Sequence, residues 1–416
     1  MTLDFATQKL LGGSSDIHER VSQKIEPVDR SLACLSVRFP LDFDLSKPDA
    51  RDRVSKQIEH HMRLCTIATR GFDVLFSTVG SEPLLAEAAT WAMFKSETNP
   101  IRELSKYMGK NCVHHGDRGE LVAALLVMQA RDALTNCQSE ETRRPRWVYV
   151  CEFLKCLLGD SAATDTYIPS VAISGDESRT LSTTFKGARM WFNHVLKIRN
   201  NDLINVQYLW KFISRGAIIL CANNQRGVDI VLPICSGDVL CRDNVTAILI
   251  RVKNNTSFGG NIHDYLFDAM DPFTVGLFDE GSQQRPIIRM VFALASETSV
   301  VKPDIPARDN PRTNKSGKFT SYDIWCAGTS RETFPIMGAD EYAYRRLVDR
   351  TRFPGQEYAV GAIHGVKYPE RVEKRRIELL RQFNPLLEVG IEHQSWGEET
   401  AKGKEKEGGH TGSPAA

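Results

Sequence analysis

The spacing of apolar residues divides this chain into a helical first half and a strand-rich middle. Leu121, Leu125 and Met128 recur at helical spacing beside Val122 and Ala124, which predicts a strong helix from Arg118 to about Leu134. Residues 146–158 continue the helical character. Phe185 to Phe212 carries two more helical patterns, one on Trp191, Val195 and Ile198 and one on Leu203, Val206, Leu209 and Trp210. From Gly216 the period changes. Ala217-Ile218-Ile219-Leu220-Cys221 predicts a strand, residues 223–227 a turn, and Val228-Asp229-Ile230-Val231-Leu232 its hairpin partner. A third strand is predicted over Thr246 to Lys253 and a short helix near Ile262 to Met270. The nearly all-apolar run Ile287 to Ala295 suits a central strand covered on both faces, and Tyr322 to Ala327 an edge strand.

The flanks are less regular. Residues 1–30, with Gly12-Gly13-Ser14-Ser15, read as a loosely attached arm. Residues 31–110 read as a small α+β region, in which Leu35, Val37 and Phe39 alternate with polar residues. Ser81 caps a helix running to Phe94 there, with Pro83 in its first turn. Residues 160–184 and 302–319 read as loops, the former an insertion in a core spanning 111–330. A C-terminal helical region over 331–395 includes a charged helix near Pro369 to Phe383, and the Gly-, Lys-, Glu- and Ser-rich residues 396–416 form a disordered tail. The fold class that results is α/β, a mixed sheet flanked by helices.

Composition narrows the function classes. A chain of 416 residues with 42% apolar content can bury a large core, and its length suggests two or three domain-sized units. Lys and Arg total 53 against 52 Asp and Glu, so a net charge of +1 gives no global attraction to nucleic acid or membrane, and any basic surface must be local. The ten cysteines show no metal-binding spacing and several lie in apolar runs, so they read as buried thiols. With an N-terminus unlike a secretion signal, they predict an intracellular, reducing setting, cytoplasmic or nuclear. Apolar stretches are strand-sized or broken by charge, which predicts no membrane span.

One constellation points to chemistry. Asp229 lies in the second predicted strand and Arg251-Val252-Lys253 closes the third, while Glu120 opens the upstream helix. Period-two geometry sends Arg251 and Lys253 to one sheet face. A carboxylate and a lysine on neighbouring strands form a minimal set for divalent-metal phosphodiester hydrolysis. Asp229 would ligate Mg²⁺, Lys253 would orient water or stabilise charge on the phosphate, and Glu120 could complete the metal shell.

These segments resemble the PD-(D/E)xK, or restriction-endonuclease-like, nuclease superfamily, whose core runs helix, three strands, helix, strand. The resemblance covers residues 117–328. Gly227-Val228-Asp229-Ile230-Val231-Leu232-Pro233 is similar to the strand bearing the superfamily's metal-binding aspartate. Ile248-Leu249-Ile250-Arg251-Val252-Lys253-Asn254 is similar to the strand bearing (D/E/Q)xK, and Gly119-Glu120-Leu121 to the glutamate-bearing first helix. The resemblance implies Mg²⁺ as cofactor and nucleic acid as partner. The chain departs from it at Arg251, a permanent cation that cannot ligate a metal but can grip a phosphate or pair with Asp229. The whole chain also resembles a family of large, uncharacterised fungal proteins, which implies no activity.

Plainer roles are open for each residue. In the plainer reading Asp229 closes a turn, Lys253 solubilises a strand end, and Arg251 is exposed or ion-paired. Asp117 and Glu120 match a capping-box-like helix opening. His114-His115 read as loop residues, Trp191 and His194 as packing, and the basic cluster Arg371 to Arg381 as the wet face of a helix. The competing function is therefore a non-catalytic module that binds protein or nucleic acid.

Overall fold

A computed structural model of the chain describes residues 2–13, 28–41, 48–68, 75–109, 118–136, 147–159, 164–173, 175–198, 200–222, 227–279, 285–303, 305 and 319–351. The charged segment Pro369 to Phe383, the tail 396–416, His114-His115 and Asp117 lie outside them. Residues 1–354 cluster as one compact unit.

The first 110 residues contribute helices Thr2–Leu10 (α1), Val28–Arg38 (α2), Pro48–His60 (α3), Pro83–Lys95 (α4) and Pro100–Gly109 (α5), with an antiparallel pair Leu64–Ala68 (β1) and Leu75–Thr78 (β2) between α3 and α4. Two expectations are corrected here. Thr2–Leu10 is a helix that buries Ala6, Thr7 and Leu10, so the start of the chain is anchored by apolar contact rather than hanging as an arm. The alternation at Leu35, Val37 and Phe39 belongs to the end of α2. Ser31 through Phe39 are all buried, and a helix covered on every side has no polar face to display a helical period.

Helices Arg118–Asn136 (α6) and Val150–Leu158 (α7) follow, the second preceded by the two-residue strand Val148–Tyr149 (β3). Leu121 to Met128 are buried without interruption. The predicted helix on Trp191, Val195 and Ile198 is replaced by strands Arg189–Met190 (β4) and His194–Lys197 (β5). Pairing decides this. His194–Lys197 lies parallel to Ala217–Leu220 (β6), and that ladder outweighs the helical spacing of three apolar side chains. The second pattern does form a helix, Val206–Ser214 (α8), capped by Asn205 Oδ1 accepting from the Tyr208 N–H at 3.2 Å.

Ile230–Cys235 (β7) and Val245–Lys253 (β8) complete an antiparallel meander with β6. After the short helix Asp264–Asp268 (α9), Ile287–Ala293 (β9) returns parallel to β8. Val300–Lys302 (β10) and Ser321–Ala327 (β11) extend the sheet, which runs β10-β11-β9-β8-β7, with β4-β3 and β6-β5 both joined through β7. β11 is interior, because β10 pairs with its far side, which corrects the edge assignment. A last helix, Glu341–Thr351 (α10), packs on α6.

Period two along the strands splits the apolar residues into two cores. Ile230, Leu232, Ile248, Ile250, Ile288 and Met290 face α1, α2, α4, α6 and α7. Val231, Ala247, Leu249, Val291 and Trp325 face α8 and α9. Each fully buried aliphatic side chain contributes roughly 1.5–3 kcal/mol. The architecture is thus α/β with a mixed sheet covered by helices on both faces, and the helices of residues 31–110 bury into the same core as the sheet.

Candidate phosphate site at the strand ends

The predicted site residues meet at one edge of the sheet. Cys221 follows β6, Asp229 precedes β7 and Lys253 ends β8, so the antiparallel meander brings all three to the same end. Gly227 sets up this corner. Its φ of +98° suits glycine, and a Cβ there would lie 2.0 Å from the Ala269 carbonyl oxygen after α9. The start of α6 reaches the same edge, since a Cβ on Gly119 would sit 3.2 Å from Asn254 Cβ.

Asp229 continues the face of Val231, and Arg251 and Lys253 continue the face of Leu249. Extending the Ile230↔Ile250 register by one step sets Asp229 opposite Arg251. The two strands therefore present opposite charges on one face. Glu120 arrives differently, from a helix on the other face whose start turns toward the edge.

The groups differ in how they are satisfied. Asp229 Oδ2 accepts the Val252 N–H at 2.6 Å, finishing the β7–β8 ladder where the backbone of β7 has ended. Among the described residues the carboxylate forms no ion pair with Arg251 or Lys253. Burial pushes the Asp229 carboxyl above the ordinary carboxylate range, opposed by the Val252 N–H and by the two cations. Burial and Arg251 hold the Lys253 ammonium below the ordinary lysine range, opposed by Asp229. Lys253 Nζ lies 5.6 Å from the centre of the Phe258 ring. Arg251 Nη1 is buried with no hydrogen-bond partner among the described residues. Burial also raises the Cys221 thiol well above its usual value, and the Asp229 and Glu120 carboxylates push it the same way, so both acids lie within electrostatic reach of that sulfur.

Mg²⁺ takes near-octahedral oxygen ligands. The set here is two carboxylates, one already accepting a backbone N–H, with a guanidinium carrying an unmatched N–H on the same face as Asp229. No group of three His, Cys, Asp or Glu able to hold a metal occurs among the described residues. These residues do not fit a resident Mg²⁺. Two cations, Arg251 and Lys253, stand on that face instead.

Residues 22–285 match the family described as Domain of unknown function (DUF8736). The chain belongs to this family. The match runs from just ahead of α2 through the meander and α9, so Glu120, Asp229, Arg251 and Lys253 all lie within the DUF8736 region. No curated protein and no solved structure matches the chain. No helix among the described residues is long and apolar enough to cross a membrane. Of the cysteines, Cys34, Cys221, Cys235 and Cys326 are buried free thiols as the sequence suggests, whereas Cys65 is exposed.

Proposed function

We propose that this chain is a restriction-endonuclease-like protein that binds the phosphodiester backbone of nucleic acid at the strand ends, with its metal-dependent hydrolysis disabled by Arg251. The observation that carries the reading is the pair Arg251 and Lys253, two cations on one face at the end of β8 that no carboxylate among the described residues neutralises by direct contact. Support for the nuclease-like ancestry comes from the order α6, β6-β7-β8 as an antiparallel meander, α9, and β9 parallel to β8. With β3, α7, β4, β5 and α8 taken as an insertion between α6 and β6, that order resembles the helix, three strands, helix, strand of the superfamily, and Asp229 and Lys253 fall on the strands that resemble its signature strands. Arg251 and Lys253 would each contact a phosphate oxygen, and the free thiols suit a reducing cytoplasmic or nuclear setting.

Binding of labelled single- and double-stranded oligonucleotides, followed by fluorescence anisotropy over a salt series, tests this. The expected result is affinity that falls linearly in log[salt], with the slope reduced by about one for Arg251→Ala and again for Lys253→Ala. Incubation with Mg²⁺ or Mn²⁺ is expected to leave the strands intact. Absence of binding removes the reading, and metal-dependent cleavage that disappears in Asp229→Ala replaces it with the hydrolase itself.

A further inference from the structure

Ser81 and His194 read from the sequence as a helix cap and a packing residue, and the structure gives both a different task. The cap of α4 is Glu82, whose carboxylate accepts the Leu84 N–H at 3.4 Å. The Ser81 hydroxyl instead lies 2.8 Å from His194 Nε2 across 113 residues of chain. On the other side of the ring, His194 Nδ1 is 2.8 Å from Asn193 Oδ1. Asn193 Nδ2 donates to the Pro83 carbonyl at 2.9 Å and to Glu87 Oε2 at 3.0 Å, which turns the amide oxygen toward the ring. Glu87 Oε2 is held in turn by Arg131 at 3.1 Å.

These contacts assign the proton positions. An amide oxygen only accepts, so Nδ1 carries the ring proton and Nε2 is left to accept from the Ser81 hydroxyl. That is the order nucleophile, base, orienting group required of an activated serine. Gly216 makes room for it, since with φ +63° a Cβ there would lie 3.2 Å from Asn193 Oδ1. Arg215 adds charge from the turn after α8. Its Nε donates to Ser81 Oγ at 3.2 Å and its Nη2 to the Ser81 carbonyl. His194 and Asn193 are 2% and 1% exposed, while Ser81 is partly exposed and Arg215 exposed, so Ser81 and Arg215 form the end of the chain of contacts nearer to solvent. The site lies at the end of β5 and β6 opposite to Cys221 and Asp229.

We propose that Ser81 is the nucleophile of a second, ester-hydrolysing site, with His194 as general base, Asn193 as its positioning residue and Arg215 as the group that stabilises the oxyanion. Ser81 Oγ bonds to the acyl carbon of a carboxylic ester as its proton passes to His194 Nε2. The ester C–O bond then breaks and the leaving alcohol takes that proton. Water attacks the acyl-serine, gives a proton to His194, and the carboxylic acid departs as Ser81 recovers its hydrogen. Burial, then Arg215 and Arg38, push the imidazole down to about 4, so it is a free base at neutral pH. The charged groups facing it are Arg215 from the α8–β6 turn and Arg38 from α2, with Glu87 of α4 reached through Asn193.

The test is labelling of the full chain with a fluorophosphonate, whose phosphorus bonds to serine oxygen as fluoride leaves. Intact-mass analysis and peptide mapping are expected to find one adduct, on Ser81, in the wild-type protein. Labelling falls about 100-fold in His194→Gln, and p-nitrophenyl acetate hydrolysis falls with it. Asn193→Ala is expected to shift the pH midpoint of labelling downward, because the ring loses the carbonyl oxygen that favours its protonated form. Mapping the wild-type adduct requires no variant to fold. No adduct, an adduct on another serine, or Ser81 labelling at an unchanged rate in a folded His194→Gln protein overturns the assignment.

Discussion

Two arginine–aspartate pairs sit on neighbouring strands of one sheet, on the same face, and they are finished in opposite ways. Arg289 on β9 and Asp323 on β11 are direct register partners, 2% and 1% exposed. Arg289 Nε and Nη2 reach the two carboxylate oxygens at 2.7 and 2.6 Å, and Nη1 donates to the Phe267 carbonyl at 2.9 Å. Ser321 Oγ adds a bond to Asp323 Oδ1 at 3.1 Å. The pair is closed on itself. Asp229 and Arg251 have the same cross-strand placement one strand pair away, yet the carboxylate takes a backbone N–H and the guanidinium keeps an Nη1 unmatched among the described residues. A buried charge left unmatched raises the free energy of the fold. The first pair therefore belongs to stability, and the second is the one on which the proposed phosphate contact rests.

The largest expected effect breaks the closed pair. Asp323→Ala would strand the Arg289 guanidinium in the core and lower stability by about 3–5 kcal/mol. Asp229→Ala removes one acceptor from Val252 and should cost only about 1–2 kcal/mol. Urea denaturation of the two variants side by side measures the contrast. Equal losses would make Asp229 as structural as Asp323 and erase the distinction.

Next in size is a change of sign between the arginines. Arg289→Met leaves Asp323 buried without its counter-ion and is expected to destabilise by about 3–5 kcal/mol. Arg251→Met removes an N–H with no acceptor, so stability should hold or rise by about 1 kcal/mol while oligonucleotide affinity falls. Thermal melts and anisotropy on the same preparations read both quantities. Destabilisation of Arg251→Met on the scale of Arg289→Met would show that its guanidinium is bonded within the fold.

The sequence discloses these two pairs unequally. Strands β6 to β9 are legible because each is an apolar run with little competing periodicity, and their order brings Asp229 and Lys253 to one edge. Arg289 was visible only as an interruption of the run Ile287 to Ala295, because its partner is 34 residues away on a strand whose far neighbour, β10, is three residues long. The same limit hid the Ser81–His194 contact. Trp191, Val195 and Ile198 mimic a helix, and only the parallel pairing of β5 with β6 turns His194 toward α4. A charge that interrupts an apolar strand, as Arg289 does, is the local signal that would have exposed the buried pair.

The smallest effect sharpens the comparison through pH. Because burial raises the Asp229 carboxyl above its unfolded value, near 4, the folded chain holds a proton that the unfolded chain has released. The stability tied to this site is fully present below the ordinary carboxylate value and is lost as pH rises through the raised one. Asp229→Asn keeps an acceptor for the Val252 N–H and has nothing to titrate. Its stability relative to wild type should therefore climb as pH rises through that interval and then level off. Lys253 does not blur the reading, since its lowered value places its own loss of stability on the alkaline side, as pH falls from the ordinary lysine range. Urea midpoints for the two proteins across the acid range measure the difference. A difference that stays flat, or that turns against the variant as pH rises, would mean that Val252, Arg251 and Lys253 stabilise the Asp229 anion more than burial penalises it. The acid would then be a satisfied partner like Asp323, and the cations opposite it would be spoken for.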